Sequence, residues 1–291
     1  MFKISFYVRR KKEVLANDFR EYWLGEHAQI QKQYLEALGV RSYIKCEALP
    51  NDPVGIASVD AYQTGTDHYD FVDHWVFNDI ETLKATNKKT DLKAAMQCSF
   101  ESEAKYVDFS RSNVAMSVDL VQFFPVDDYR ATIDNSFVKI YYCVRKLSEL
   151  TRAEAQLHWN TCHGALSRQD IKYSVQSKYI QAHNIDSTFV DELAQKRGYD
   201  VDPDFIGHAE GWIDTNTRVL EFSADEYAEV VAMSMDDIDL FTDKKRSQLF
   251  VSKEYYIIDN EEPQYIYAIE DGGLGDVKGE MKNGKKNMYK K

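Results

Sequence analysis

An α+β fold of two βαββαβ units, packed sheet against sheet, follows from three observations. The first is an internal repeat. Sliding the sequence by 136 positions lays Phe2–Glu47 on Val138–His183 without a gap, and identities fall at Lys3/Lys139, Ile4/Ile140, Val8/Val144, Arg9/Arg145, Glu13/Glu149, Trp23/Trp159, His27/His163, Gln33/Gln169, Tyr43/Tyr179 and Ile44/Ile180. Both a Trp-x3-His and a Tyr-Ile stay in register. The second is the change from period two to helical spacing within each copy. The third is length: 291 residues suit two domains or one large one.

Each copy reads in the same order. FKISFYVRR and VKIYYCVRK alternate, with Ile4, Phe6 and Val8 on one face and Lys3, Ser5, Tyr7 and Arg9 on the other, which is a half-buried strand. Asp18–Leu38 places Phe19, Trp23, Ile30, Tyr34 and Leu38 near helical spacing, with Gly39 as its stop. SYIKCEAL and SKYIQAHN are short strands rich in β-formers. YDFVDHWVF and FIGHAEGWI form third strands, followed by helices near Ile80–Met96 and Ala224–Phe241. Asn113–Phe123 and Gln264–Glu270 are read as the fourth strands. This is the order of the ferredoxin-like split unit. Such a sheet has helices on one face only, so in a tandem copy each sheet covers the other. The expected boundaries are 1–124 for the first copy, 125–136 for the linker, 137–271 for the second copy and 272–291 for a basic tail.

Charge excludes several functions. Lys and Arg total 36 against 48 Asp and Glu, a net of −12 with histidines neutral. Six lysines against Asp276 and Glu280 make the tail +4, so residues 1–271 carry −16. Phosphate-tracking nucleic-acid surfaces need clustered cations, so no nucleic-acid partner is expected. Repulsion disfavours anionic membranes in the same way, and no apolar run approaches the roughly 20 residues of a membrane helix. No signal-peptide pattern opens the chain. The four cysteines (46, 98, 143 and 162) are widely spaced and contain no CxxC, so free thiols in a reducing cytoplasm are expected.

Strand parity nominates the candidate residues. If Ile140, Tyr142 and Val144 pack under helices, then Lys139, Tyr141, Cys143 and Arg145 point the other way. Tyr179, Gln181 and His183 share one face, and His208, Glu210 and Trp212 form another row. His27 and His163 are the acid/base candidates, since imidazole titrates near neutrality. The alternative for each is a half-buried histidine bonded to a backbone carbonyl, and for Trp23, Trp159 and Trp212 it is simple core packing. Glu210 lies between Ala209 and Gly211 in an apolar strand, where a charge needs a partner or a purpose. The halves differ at this position, because His74 occupies it in the first copy. Cys162 and His163 are adjacent in a helix and point about 100° apart, so they form no nucleophile pair. His158 and His163, at i and i+5, are poorly spaced for one metal.

These residues resemble the EthD family of the dimeric α/β-barrel superfamily. The resemblance rests on Tyr22-Trp23-x3-His27, Tyr43, Tyr69-Asp70 and His74 in the first copy. In the second it rests on Trp159-x3-His163, Tyr179, His183 and Glu210-x-Trp212. It covers about residues 1–110 and 137–260, and it implies an intramolecular version of a barrel usually built by two chains, acting as a monomer or homodimer. Enzymes with this fold include monooxygenases without metal or flavin, lactone isomerases, decarboxylases, dehydrating cyclases and haem-dependent enzymes.

The resulting expectation is an enzyme without an organic cofactor, acting by proton transfer on a hydrophobic, aromatic or polyketide-like small molecule. Lyase or isomerase chemistry is favoured over oxygenation. His163 is the acid/base, oriented by Glu210 and His183, with Tyr179 or Arg145 stabilising an oxyanion. Arg145, Tyr141, His208, His27, Tyr43 and His74 are the expected substrate contacts. No metal ligand set is assigned, although haem or a divalent metal is left open. The alternatives are a non-catalytic binding barrel and a cofactor-free or haem-dependent oxygenase.

Overall fold

A computed structural model describes residues 2–79, 81, 90–123, 129–169, 176–216 and 224–260. The first half runs β1 (Phe2–Val8), α1 (Ala16–Leu24), α2 (Glu26–Ala37), β2 (Ser42–Ala48), α3 (Pro53–Tyr62), β3 (Phe71–Phe77), α4 (Thr90–Ala104) and β4 (Asn113–Phe123). The second runs β5 (Phe137–Arg145), α5 (Arg152–His158), a π-helical turn (Trp159–His163), α6 (Gly164–Gln169), β6 (Gln176–Ile185), α7 (Thr188–Arg197), β7 (Phe205–Asp214), α8 (Ala224–Ile238) and β8 (Gln248–Asp259).

The eight strands close into one barrel in the order β1-β3-β2-β8-β5-β7-β6-β4. All neighbours are antiparallel. Within each half the spatial order is fourth, first, third, second strand, and the pairs β2–β8 and β4–β6 seal the two halves together. Closure leaves no sheet edge to aggregate.

Alternation along the strands separates two environments. Ile4, Phe6 and Val8 pack with Phe19, Trp23, Tyr34 and Leu38 beneath the helices of the first half. Tyr142 and Val144 do the same with Ala155, Trp159 and Phe241 in the second. The opposite faces of β1 and β5 supply Tyr7, Tyr141 and Cys143 to the barrel interior, beside Cys46, Phe205 and Phe250.

Several elements differ from the sequence expectation. The fourth strand of the second half is Gln248–Asp259, earlier than expected, and Gln264–Glu270 lies outside the described residues together with the basic tail. The helix expected over Asp18–Leu38 is broken at Gly25, where a Cβ would sit 2.7 Å from the Glu21 carbonyl oxygen. The helix expected near Ile80–Met96 is described from Thr90 to Ala104. Helices α3 and α7 were not expected, because neither carries a long apolar stripe. Their start signals are nonetheless present: Asp52 caps α3 before Pro53, and Ser187 caps α7.

These two helices cross between halves. Val190, Leu193 and Ala194 of α7 belong to the helix-side core of the first half, while Val59 and Tyr62 of α3 pack against that of the second. Arg197 of α7 donates to both carboxylate oxygens of Glu103 on α4, at 2.8 and 2.5 Å. Residues 1–124 expressed alone are therefore expected to lack a cooperative unfolding transition, and co-expression with residues 125–291 to restore it. A cooperative transition for the isolated first half would contradict this reciprocal packing. No described helix is long and apolar enough to cross a membrane.

Candidate functional site

The sequence-nominated residues divide between opposite faces of the sheet. Strand register decides this: Glu210 sits across from Tyr141 on one side and Ile180 on the other. Directly paired residues project to the same side, so Glu210 and His208 face inward with Tyr141, while Tyr179, Gln181 and His183 face the helices. Glu210 therefore lies on the opposite side of the sheet from His163, and Asp237 takes the orienting place expected for it.

On the helix-covered face of the second half, His163 Nδ1 lies 3.0 Å from Asp237 Oδ2, and His158 Nε2 lies 2.9 Å from Asp237 Oδ1. A carboxylate only accepts, so both imidazoles donate to it. Burial would raise the Asp237 pKa, but the hydrogen bonds from His163 and His158 outweigh it and hold the carboxyl below its ordinary value. In the tautomer that donates through Nδ1, Nε2 of His163 is the free ring nitrogen, and no described residue hydrogen-bonds to it. Asp237 was missed in the sequence because one acidic residue on a helix among several gives no motif.

The π-helical turn explains how the two halves diverge. In the first half Trp23 and His27 stack at 3.8 Å and 16°. His27 Nδ1 meets Ser102 Oγ at 3.1 Å, and its Nε2 is buried without a partner. Burial, then Lys45 and Arg197, push its pKa well below the ordinary value, so this ring stays neutral. In the second half the same Trp-x3-His spacing runs through the widened turn. Trp159 stacks instead on His183, at 4.6 Å and 16°, and His163 is turned to Asp237. Single π turns recur at functional sites because they re-aim side chains at the cost of regular hydrogen bonding. Gly207 permits the arrangement: its φ is +150°, and a Cβ there would lie 2.1 Å from the Ala182 carbonyl oxygen and 3.1 Å from the Trp159 ring.

His183 Nε2 donates to Gln181 Oε1 at 3.1 Å, and Gln181 Nε2 donates to the Trp159 carbonyl. Burial lowers the His183 pKa to about 4 from 6.5. The unfolded chain then binds more protons between those values, so stability falls as pH drops from 6.5 towards 4, by at most about 3 kcal/mol from this residue. His183→Phe is expected to flatten that part of the curve of denaturant midpoint against pH. An unchanged slope would mean His183 titrates normally. Tyr179 receives a hydrogen bond from Gln181 at 3.4 Å.

On the corresponding face of the first half, Tyr43 Oη, Lys45 Nζ and Trp23 Nε1 all donate to Asp73, at 3.3, 2.6 and 3.1 Å. Neither Tyr43 nor His27 therefore shares a pocket with His163. Arg145 stands at the end of β5, paired with Asp202 at 2.6 Å and donating to the Arg246 carbonyl at 2.9 Å.

The interior holds a closed ionic network. Glu210 Oε1 receives Lys3 at 2.5 Å and His208 Nε2 at 2.7 Å, and Oε2 receives Lys139 at 2.7 Å. Lys3 also meets Asp119 at 3.1 Å and Lys139 meets Glu254 at 3.1 Å. Tyr7 bonds His208 Nδ1 at 2.6 Å, while His74 lies between Ser5 at 2.8 Å and Tyr141 at 2.6 Å. Burial would raise the Glu210 pKa, but Lys139 and Lys3 hold it well below the carboxylate range. His74, His208 and Glu210 offer ligand atoms within 4.8 Å of one another. Two ammonium groups already neutralise that carboxylate and would repel a divalent cation, so the donor set does not fit a metal as arranged.

The fold and site define a closed eight-stranded antiparallel barrel with a buried His–Asp pair under one helical layer. Residues 11–110 match the model of the EthD domain family. No curated protein sequence matches the chain. Among solved structures, a monooxygenase candidate from Lactobacillus acidophilus NCFM is similar at 12% identity, covering 87% of this chain and 92% of that one, with a TM-score of 0.41. A monooxygenase candidate from Fusobacterium nucleatum subsp. nucleatum ATCC 25586 is 8% identical over 92% of this chain and 98% of that one, with a TM-score of 0.46. An anthrone oxidase-like protein is 5% identical over 89% and 94%, with a TM-score of 0.51, a likeness of fold.

Proposed function

We propose that the chain is a fused pair of ferredoxin-like EthD domains, residues 1–124 and 137–271, in which the second half is an enzyme site and the first a scaffold. The substrate is a hydrophobic, aromatic or polyketide-like small molecule, and His163 is the acid/base. One observation carries the reading: His163 is bonded through Nδ1 to Asp237, leaving Nε2 to take a proton from a phenol or from carbon α to a carbonyl. His27, in the matching position, has no carboxylate partner and is held neutral in the core.

Proton removal is common to lyase, isomerase and oxygenase outcomes. The name of the anthrone oxidase-like relative supports including oxygenation, in which the substrate anion itself reduces oxygen. The test is a panel of phenols and 1,3-dicarbonyl polyketide mimics, followed by deuterium incorporation and by oxygen uptake. Deuterium exchange or turnover that is lost in His163→Gln and kept in His27→Gln is expected. Equal loss in both variants, or in neither, overturns the asymmetric site. Oxygen uptake then separates oxygenation from isomerisation or lyase chemistry.

A further inference from the structure

We propose that the rim of the barrel beside β1 is a second ligand site, for a small amphipathic anion: a carboxylate or phosphate monoester attached to an apolar body. A cavity of about 340 Å³ there is lined by Arg9, Arg10, Lys11, Lys12 and Arg111, with Asp67 and Asp70 as its carboxylates. Among the Lys, Arg and Asp side chains that is a local balance of +3, on a body carrying −16 over residues 1–271. Concentrating cations in a concave place costs self-repulsion, and an anionic ligand relieves it.

The present occupant of the cations supports this reading. Asp67 is 74% exposed, yet its carboxylate reaches back to Arg9 Nη1 and lies 3.6 Å from Arg111. Arg9 is buried and also donates to the carbonyls of Asp67 and His68, at 2.7 and 3.0 Å, with its guanidinium 4.8 Å over the Tyr69 ring. The guanidinium is thus held in fixed geometry while its anion sits on a solvent-exposed loop residue. Asp67 is an internal stand-in for an external anion.

A second cavity of about 210 Å³ adjoins the first, sharing Thr66 and His68 as its wall. Its other lining is mostly apolar, including Leu49, Ile56, Val59, Leu249 and Phe250. One compartment suits a charged head and the other a flat or branched apolar group. The site shares no residue with the His163–Asp237 pair, so it stands whether or not that pair is catalytic.

The test is calorimetric titration of the full chain with 2-naphthyl phosphate, inorganic phosphate and 2-naphthol. The conjoined probe is expected to bind at least about 10-fold more tightly than either part. Two exposed-side substitutions, Lys12→Glu and Ile56→Asp, are each expected to weaken it by about 10-fold or more, and Asp67→Asn to tighten it by removing the competing carboxylate. Unchanged far-UV spectra certify the fold of each variant. Equal binding of phosphate and naphthyl phosphate, naphthyl phosphate binding indifferent to Ile56→Asp, or weaker binding in Asp67→Asn would each overturn the proposal.

Discussion

Glu210→Gln is expected to destabilise the protein by about 3–5 kcal/mol, the cost of removing one partner from a buried ion network. The carboxylate accepts from Lys3, Lys139 and His208 at 2.5–2.7 Å, and all four side chains are almost wholly buried. An amide keeps the shape but leaves two ammonium groups with only Asp119 and Glu254 to share. Against a typical total of about 5–15 kcal/mol, that loss is large. Denaturant unfolding should show a lower midpoint at an unchanged slope. An unaltered midpoint for Glu210→Gln would show that the network is dispensable.

The same residue sets an acid limit. Its folded pKa lies well below its ordinary 4.5. The stability it contributes is therefore full above the unfolded value and lost as pH falls below about 4.5 towards the folded pKa. Glu210→Gln should remove this component, leaving less stability at pH 7 and a flatter fall in acid.

The second large effect concerns the His163–Asp237 pair. On a substrate that the panel identifies, His163→Ala should lower kcat by roughly 10²–10⁴-fold, the usual contribution of a positioned general acid/base. Asp237→Asn should also lower kcat, since an amide can present N–H to His163 and reverse the tautomer that leaves Nε2 as the base. Its effect should fall mainly on kcat, with KM little changed. His158 shares Asp237, so His158→Gln tests whether the second imidazole only positions the carboxylate. A fall in kcat for His27→Ala equal to that for His163→Ala would place the chemistry elsewhere.

The repeat, strand alternation and helix stripes made most of the architecture legible. Lys3/Lys139, Ile4/Ile140 and Val8/Val144 matched both in sequence and in which side of the sheet they serve. What escaped were α3 and α7, whose apolar residues are justified only by the other half that they cover. The early position of β8 escaped for a related reason. Gln248–Asp259 is charged and aromatic in mixture, and its polar residues are used individually: Glu254 receives the Ala131 amide at 2.7 Å and Trp212 Nε1 at 2.9 Å.

For the site, the sequence alone determined that His163, His183, Tyr179, Glu210 and His208 lie on neighbouring elements of one repeat. It also showed that Glu210 and His74 replace one another between the copies. Only the tertiary structure decided which of them meet. Parity along a strand says that alternate residues share a face, but not which face of one strand joins which face of the next. That is fixed by register, which pairs Glu210 with Ile180 and so sends Tyr179 and His183 away from it. Likewise an identical Trp-x3-His spacing is read through a break at Gly25 in one half and a π turn in the other, and only the second delivers its histidine to a carboxylate. Spacing is a property of the chain. The partner at the end of a side chain depends on backbone geometry and on elements far away in sequence, which for His163 means Asp237 on α8.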